Sequence, residues 1–225
     1  MSVPRPGRNV AGIGMTSQRT RERMVERLRE QCITDQRVLA AMAGVPRHLF
    51  VEEAFASRAY EDTALPIAHG QTISQPYIVA RMTEWLLADG TPDSVLEIGT
   101  GCGYQTAVLA TIFAKVYSVE RIEPLLTAAR IRLRELGFRN VRMQLSDGSW
   151  GWEAHAPFEA IIVTAAPERV PEGLLAQLAE GGRMIIPVGP AQQQMLTLYK
   201  KRHGEVHALP LEPVSFVPLL AGLQR

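Results

Sequence analysis

Cysteine is nearly absent: among 225 residues only Cys32 and Cys102 occur. That excludes a disulfide framework and a four-cysteine metal site, and it points to a reducing compartment. An excess of charge of one sign is also missing. The 24 Lys plus Arg against 23 Asp plus Glu leave +1, so no global field draws in nucleic acid or an anionic membrane. No run of about 20 apolar residues is present, so no bilayer-spanning helix is expected. The opening residues MSVPRPGRNVAG lack an apolar h-region, so no secretory signal is expected. The expectation is a soluble, cytoplasmic protein. What is present is a 46% hydrophobic, 21% charged chain, far from the composition of whole-chain disorder. The length fits one large domain, or one domain with an extension.

Residues 1–15, with two Pro and three Gly, read as a mobile tail. Residues 17–31 alternate Arg and Glu over an apolar stripe of Met24, Val25 and Leu28. This spacing predicts a helix with a solvated charged face and i,i+3 pairs such as Glu26–Arg29. A second helix is expected from Asp35 to Met42, with Thr34 as its N-cap. Residues 45–76 are irregular, broken by Pro46, Pro66, Gly70 and Pro76. A helix is expected over 77–89, where Ile78, Met82, Trp85 and Leu86 share one face.

From Ser94 onward short apolar runs alternate with helical stretches. Strands are predicted at 95–99, 116–119, 141–145, 160–166 and 184–189. Helices are predicted at 104–114, 123–136 and 173–178. That alternation implies right-handed βαβ units and a parallel sheet covered on both faces. At the end, 195–200, a turn at His203-Gly204, and 205–219 read as antiparallel strands closing the sheet.

The strongest local signal is Glu97-Ile98-Gly99-Thr100-Gly101-Cys102-Gly103, which follows a strand and opens a helix. Glycines there allow a sharp turn and close approach of a ligand. The spacing is G-x-G-x-G, because Tyr104 stands where the dinucleotide fingerprint has its third glycine. Glu120, at the end of the next strand and 19 residues after Gly101, can accept from two ribose hydroxyls. Asp147-Gly148, at the end of the third, can accept from an exocyclic adenine amine. A Walker lysine is missing, and no basic residue adjoins the motif. A phosphate-free cofactor with a cationic centre, S-adenosylmethionine, therefore suits it better than NAD or ATP. The bland alternative is an unliganded turn with surface acids.

These residues, in this order, resemble the class I S-adenosylmethionine-dependent methyltransferases. A second set is more specific. Ala59-Tyr60-Glu61-Asp62, Leu65-Pro66-Ile67 and His69-Gly70-Gln71-Thr72-Ile73-Ser74-Gln75-Pro76 are similar to protein-L-isoaspartate (D-aspartate) O-methyltransferases. So are Gly101 to Ala107, Asp147-Gly148, Ile161 to Ala166, Pro187-Val188-Gly189 and Phe216-Val217-Pro218-Leu219. The resemblance covers about residues 20–220. Cys102 stands where that family usually has Ser, and Glu159 where an Asp is common; neither touches the inferred chemistry.

The resemblance implies a doubly wound, mostly parallel seven-stranded α/β sheet of Rossmann-like type, with an antiparallel C-terminal strand and N-terminal helices. Its parts would be a tail over 1–15 and a methyltransferase domain over 16–225. That domain divides into a helical part (16–90) with a substrate loop at 59–76, and a cofactor-binding core (91–225). The implied reaction is methylation of the free α-carboxylate of L-isoaspartyl, and of D-aspartyl, residues in damaged proteins and peptides. The ester then closes to succinimide, which begins repair. The expected product cofactor is S-adenosylhomocysteine. Glu97, Gly99, Gly101, Gly103, Glu120, Asp147 and Gly148 would hold the cofactor. Ser74 would orient the carboxylate, with His69, Thr72, Ile73 and Val217 framing the substrate. An ionised carboxylate needs no general base and no metal, and neither is visible. The sequence also allows Ser74 to serve as the N-cap of the helix opened by Pro76.

The expected partners are isoaspartyl proteins and peptides, with no nucleic acid or membrane, and the expected state is a monomer. Two rivals stay open: a methyltransferase of the same fold acting on a small molecule or nucleic acid, and a nucleoside sensor without turnover. His203 and His207 read as a solvated turn rather than a zinc site, and His48 and His155 as lone histidines. Cys32 reads as a small buried side chain near a helix end, and Cys102 as a passive spacer. Trp150 and Trp152 are candidates either for the adenine or for the core.

Overall fold

The computed structural model describes residues 12–225. Most of the expected tail, residues 1–11, lies outside the described residues. Gly14–Thr16 form a short 3-10 turn in which Thr16 Oγ1 donates to Ile13 O at 3.0 Å.

Helix α1 spans Gln18–Glu30 and buries Met24, Val25 and Leu28, as their spacing dictates. Its arginine face is not simply solvated. Arg21 is buried, and its guanidinium donates to Tyr60 Oη at 3.3 Å and to the carbonyls of Ala43 (3.1 Å) and Gly44 (3.3 Å). Arg27 donates to the Tyr60 carbonyl, while Glu26–Arg29 forms the expected surface pair. Helix α2 spans Gln36–Gly44, and its N-cap is Asp35 rather than Thr34. Asp35 Oδ1 accepts from Arg37 N at 2.8 Å, whereas the Thr34 hydroxyl turns to Glu84. Cys32, just after α1, is exposed with φ of +65°. The expectation of a buried thiol fails because the chain must reverse there in the left-handed conformation.

Within the stretch read as irregular, Leu65–Pro66 (β1) and Thr72–Ile73 (β2) form a small antiparallel hairpin. It leads directly into helix α3, Pro76–Leu87, whose first residue has a φ preset by its ring.

The remaining elements build the main sheet: β3 (Ser94–Ile98), α4 (Tyr104–Ile112), β4 (Lys115–Glu120), α5 (Glu123–Glu135), β5 (Val141–Leu145), β6 (Phe158–Val163), α6 (Glu172–Ala176), β7 (Leu178–Val188), β8 (Gln194–Arg202) and β9 (Glu205–Val214). The strand order is β5-β4-β3-β6-β7-β8-β9. The first five are parallel, and β8 and β9 join antiparallel. Successive residues face opposite ways. Val95, Ile162 and Ile185 therefore pack under α1 to α5, and Leu96, Ile161 and Met184 pack on the other face with Leu174 of α6.

The last strand ends at Val214, short of the expected 219. Beyond it the chain leaves the sheet and straps across the strand ends. Ala166 N donates to Val217 O, Leu219 N to Ala166 O, and Gln224 N to Arg121 O. Proline at 218 has no N–H to continue a ladder.

Candidate active site

The order of strands reverses between β3 and β6, which opens a crevice at their carboxyl ends. The Gly99–Gly103 loop forms one lip. Gly99, at φ +96°, cannot carry a side chain: a Cβ there would stand 2.4 Å from Thr164 Oγ1. Thr164, just beyond β6, donates its hydroxyl to Gly99 O (2.7 Å) and Ile98 O (3.0 Å) and ties the two strand ends together. Gly103, also at positive φ, is the N-cap of α4.

Three carboxylates at the strand ends are buried, so none is the surface acid of the bland alternative, and two of them, Glu120 and Glu97, support this loop. Glu120 Oε2 accepts from Gly101 N at 2.8 Å, and Oε1 accepts from Arg121 N and Ile122 N. Asp147 Oδ1 accepts from Ser149 N and Oγ, and Oδ2 accepts from Gly222 N of the strap at 2.6 Å. Burial opposes the Asp147 charge, but the hydrogen bonds from Ser149 and Gly222 outweigh it and hold its pKa below the ordinary value. Glu97 lies beneath the loop and does not line the crevice. Its Oε2 accepts from the hydroxyls of Thr106 (2.6 Å) and Ser118, and Ser118 Oγ pairs with Thr100 Oγ1 at 2.6 Å. Its Oε1 is buried without a partner. Burial pushes this carboxyl up to about 8, against the hydrogen bonds from Ser118 and Thr106.

A cavity of about 40 Å³ joins Gly99, Thr100, Gly101 and Thr164 to Thr72, Ile73 and Ser74. Thr72 and Ser74 also line a larger cleft of about 580 Å³, walled by Tyr77, Glu212 and residues up to Phe216. These two residues therefore form the partition between a chamber at the glycine loop and an open cleft. Ser74 does not cap α3. That position is Gln75, and no side chain caps the helix end, so the hydroxyl is not committed to the helix.

Of the other residues named from the sequence, Cys102 lines the chamber, whereas His69, Val217, Glu120, Asp147, Trp150, Trp152 and His48 fall outside both cavities. His69 is exposed at the hairpin turn with φ of +61°. Val217 sits in the strap, where its carbonyl is held by Ala166 N. Glu120 and Asp147 are 6% and 3% exposed. The strap lies over them, with Leu219 packed beside Gly148: a Cβ at Gly148 would fall 3.3 Å from Leu219 Cδ1. Trp150 is 69% exposed and Trp152 meets Tyr117 edge-on, so neither forms a platform over the loop. Cys102 is buried, which pushes its thiol up and keeps it protonated. His48 Nδ1 pairs with Tyr60 Oη at 2.7 Å. Among the described residues no group of His, Cys, Asp and Glu could hold a metal ion, and no helix is long and apolar enough to cross a membrane.

Thr164, Ser118 and Thr106 were not singled out from the sequence as site residues. Their roles come from pairing across the switch point, and the one available signal was that Thr164 ends the strand beside β3.

The lining suits a phosphate-free group: glycines and hydroxyls, with Glu212 of the open cleft as its one acid and no Lys or Arg on either cavity, while Glu120 and Asp147 stand buried behind the loop and strap. Together with the seven-stranded sheet, it defines the class I S-adenosylmethionine-dependent methyltransferases. The family model described as protein-L-isoaspartate(D-aspartate) O-methyltransferase matches residues 18–224. A protein-L-isoaspartate O-methyltransferase of Hahella chejuensis is 58% identical over 211 residues, 94% of this chain and 100% of that protein. The protein-L-isoaspartate O-methyltransferase 1 of Marinobacter nauticus is 59% identical over 215 residues, covering 95% and 97%. A solved protein-L-isoaspartate O-methyltransferase superposes with a TM-score of 0.82 at 30% identity, covering 91% of this chain and 67% of that one. A candidate protein-L-isoaspartate O-methyltransferase from Plasmodium falciparum, in complex with S-adenosyl-L-homocysteine, gives 0.79 at 27% identity, covering 89% and 98%. The chain belongs to the protein-L-isoaspartate (D-aspartate) O-methyltransferase family.

Proposed function

We infer that this chain methylates the free α-carboxylate of L-isoaspartyl residues, and of D-aspartyl residues, in damaged proteins and peptides, and so begins their repair through succinimide. The observation that carries the reading is the partition at Thr72 and Ser74. It puts one hydroxyl in reach of both the glycine-loop chamber and the open cleft. S-adenosylmethionine, when bound, supplies an electrophilic methyl group and leaves as S-adenosylhomocysteine.

The chain's own residues do the rest. Gly99, Gly101 and Gly103 shape the loop, Glu120 and Asp147 offer acceptors to the nucleoside, and Glu97 braces Thr100 through Ser118. The cleft takes the substrate backbone, and the Ser74 hydroxyl donates to the carboxylate so that one oxygen faces the chamber. No proton needs to be removed, because a carboxylate is ionised at neutral pH. The contribution of the protein is alignment and exclusion of water. Charge is neutralised as the bond forms, so a dry chamber does not oppose the transition state. The reading includes a monomer working in the cytoplasm; the free, exposed Cys32 fits a reducing compartment.

The test is methyl transfer from labelled S-adenosylmethionine to an isoaspartyl peptide and to the same peptide with normal aspartate. Labelling of the isoaspartyl peptide alone is expected, and equal labelling would overturn the specificity. Preference for an RNA or a small acid in competition would favour another substrate class.

A further inference from the structure

The open cleft beside Ser74 lies against β9, at one edge of the sheet. The opposite edge is β5, which has a strand neighbour on one side only. An exposed edge in a mostly parallel sheet is a template for a further strand. Here it is half-buried rather than covered, and beside it runs a groove of about 570 Å³ between β5 and α5.

The groove has two chemical parts. Its floor is apolar: Leu133 is buried, Phe138, Val141 and Met143 are half-buried, and Ile131 is 56% exposed. Its rim is cationic. Arg130, Arg134 and Arg139 are all exposed, and the one acid on the lining is Glu135. Three arginines against one glutamate give +2 locally, on a chain whose total is +1. Arg142 adds another exposed cation on the edge strand itself.

The arginines are partly spent on the main chain. Arg130 Nη2 donates to Met143 O on the edge strand at 2.7 Å, and Arg139 Nη1 donates to Arg134 O at 3.0 Å. An incoming strand with acidic side chains could take over Arg130 and free that carbonyl for pairing. A second copy of this chain is disfavoured, because pairing β5 with itself would set arginines against arginines. A nucleic acid would use the rim but leave the apolar floor wet, and the lining offers one aromatic ring, Phe138, for stacking.

We propose that the β5–α5 groove docks an extended, acidic peptide segment of a partner protein, which adds as a strand to β5 and seats apolar side chains on Ile131, Phe138 and Met143. The site stands at the sheet edge remote from the substrate cleft, so it holds a partner without closing the cleft to isoaspartyl chains.

The experiment is fluorescence anisotropy of the full chain with a labelled peptide of Val-Thr-Glu-Thr repeats (the Glu-Val peptide), which puts Val and Glu on the one strand face that meets α5. A Lys-Val peptide and an oligo-dT of similar charge serve as the other arms. Saturable binding of the Glu-Val peptide is expected, with about tenfold weakening in the double variant Arg134→Glu, Arg139→Glu. Hydrogen-exchange protection should fall on residues 138–145. Methylation of an isoaspartyl peptide by the variant should match wild type, which also shows that the variant is folded. The proposal is overturned by no saturable binding, by equal or tighter binding of the Lys-Val peptide or oligo-dT, by an unchanged affinity in the double variant, or by protection elsewhere. Failure of the wild-type chain to bind the Glu-Val peptide while it still methylates an isoaspartyl peptide would sink this site alone and leave the catalytic reading standing.

Discussion

Replacing Glu97 by Gln tests the chemistry beneath the glycine loop most directly. Glu97 is fully buried, its Oε1 has no partner, and burial lifts its carboxyl to about 8 from 4.5. The folded protein therefore binds a proton that the unfolded chain releases above about pH 4.5. A group raised in this way contributes stability that is complete below the unfolded value. That contribution is lost as pH climbs through the folded value, at about 1.4 kcal/mol per pH unit. Between pH 5 and 7 the wild type should lose about 3 kcal/mol relative to a variant that cannot titrate there. Glu97→Gln keeps the shape and an oxygen for Thr106 and Ser118. Its amide nitrogen, standing where Oε1 has no partner, leaves two buried N–H groups unpaired, a cost of about 1–3 kcal/mol that does not vary with pH. Urea unfolding of both proteins at pH 5, 6, 7, 8 and 9 separates the two effects. The variant should gain on the wild type with each step up to about pH 8 and then run parallel. Curves parallel from pH 5 upward would show that Glu97 is ionised in the folded state, and the account of a neutral brace would fall.

Ser74→Ala should lower turnover on isoaspartyl peptide by roughly 10- to 100-fold, a loss of about 1.4–2.7 kcal/mol of transition-state stabilisation, while cofactor binding by calorimetry stays nearly constant. An unchanged rate would remove Ser74 from the reaction. Gly148→Ala places a methyl 2.5 Å from Ile98 Cγ2 and should cost about 1–3 kcal/mol in thermal unfolding; a neutral result would mean that the strap yields easily. Asp147→Ala removes the acceptor of Gly222 N. Both S-adenosylhomocysteine affinity and the exchange protection of the Gly222 amide should drop together, and a drop in one alone would separate the strap from the nucleoside site.

Some of this was written locally. The helix at 18–30 follows from Met24, Val25 and Leu28 on one face, and the strands from β3 onward follow from short apolar runs bounded by glycine and proline. The turn at Gly99–Gly103 was legible because only glycine tolerates those backbone angles. Ser74 was ambiguous, since Ser-x-Pro suits a cap as well as a site, and the helix end proved to fall at Gln75. Thr34 lost its expected place to Asp35 because Glu84, fifty residues away, claims its hydroxyl. Cys32 and the arginine face of α1 were misplaced for a related reason. Where the chain reverses, and which carbonyls sit beside Arg21, depend on segments distant in sequence.

By itself, then, the sequence determined the alternation of strands and helices, the glycine turn and the three strand-end acids, because backbone angles and apolar spacing act over a few residues. Only the tertiary structure decided that Thr72 and Ser74 divide a chamber from a cleft, that Thr164 pins Gly99, that Glu97 is buried with an unpartnered oxygen, and that residues 215–225 lie over Asp147. Those facts arise from contacts between segments brought together by strand order, and desolvation and cross-sheet hydrogen bonding have no counterpart in local spacing.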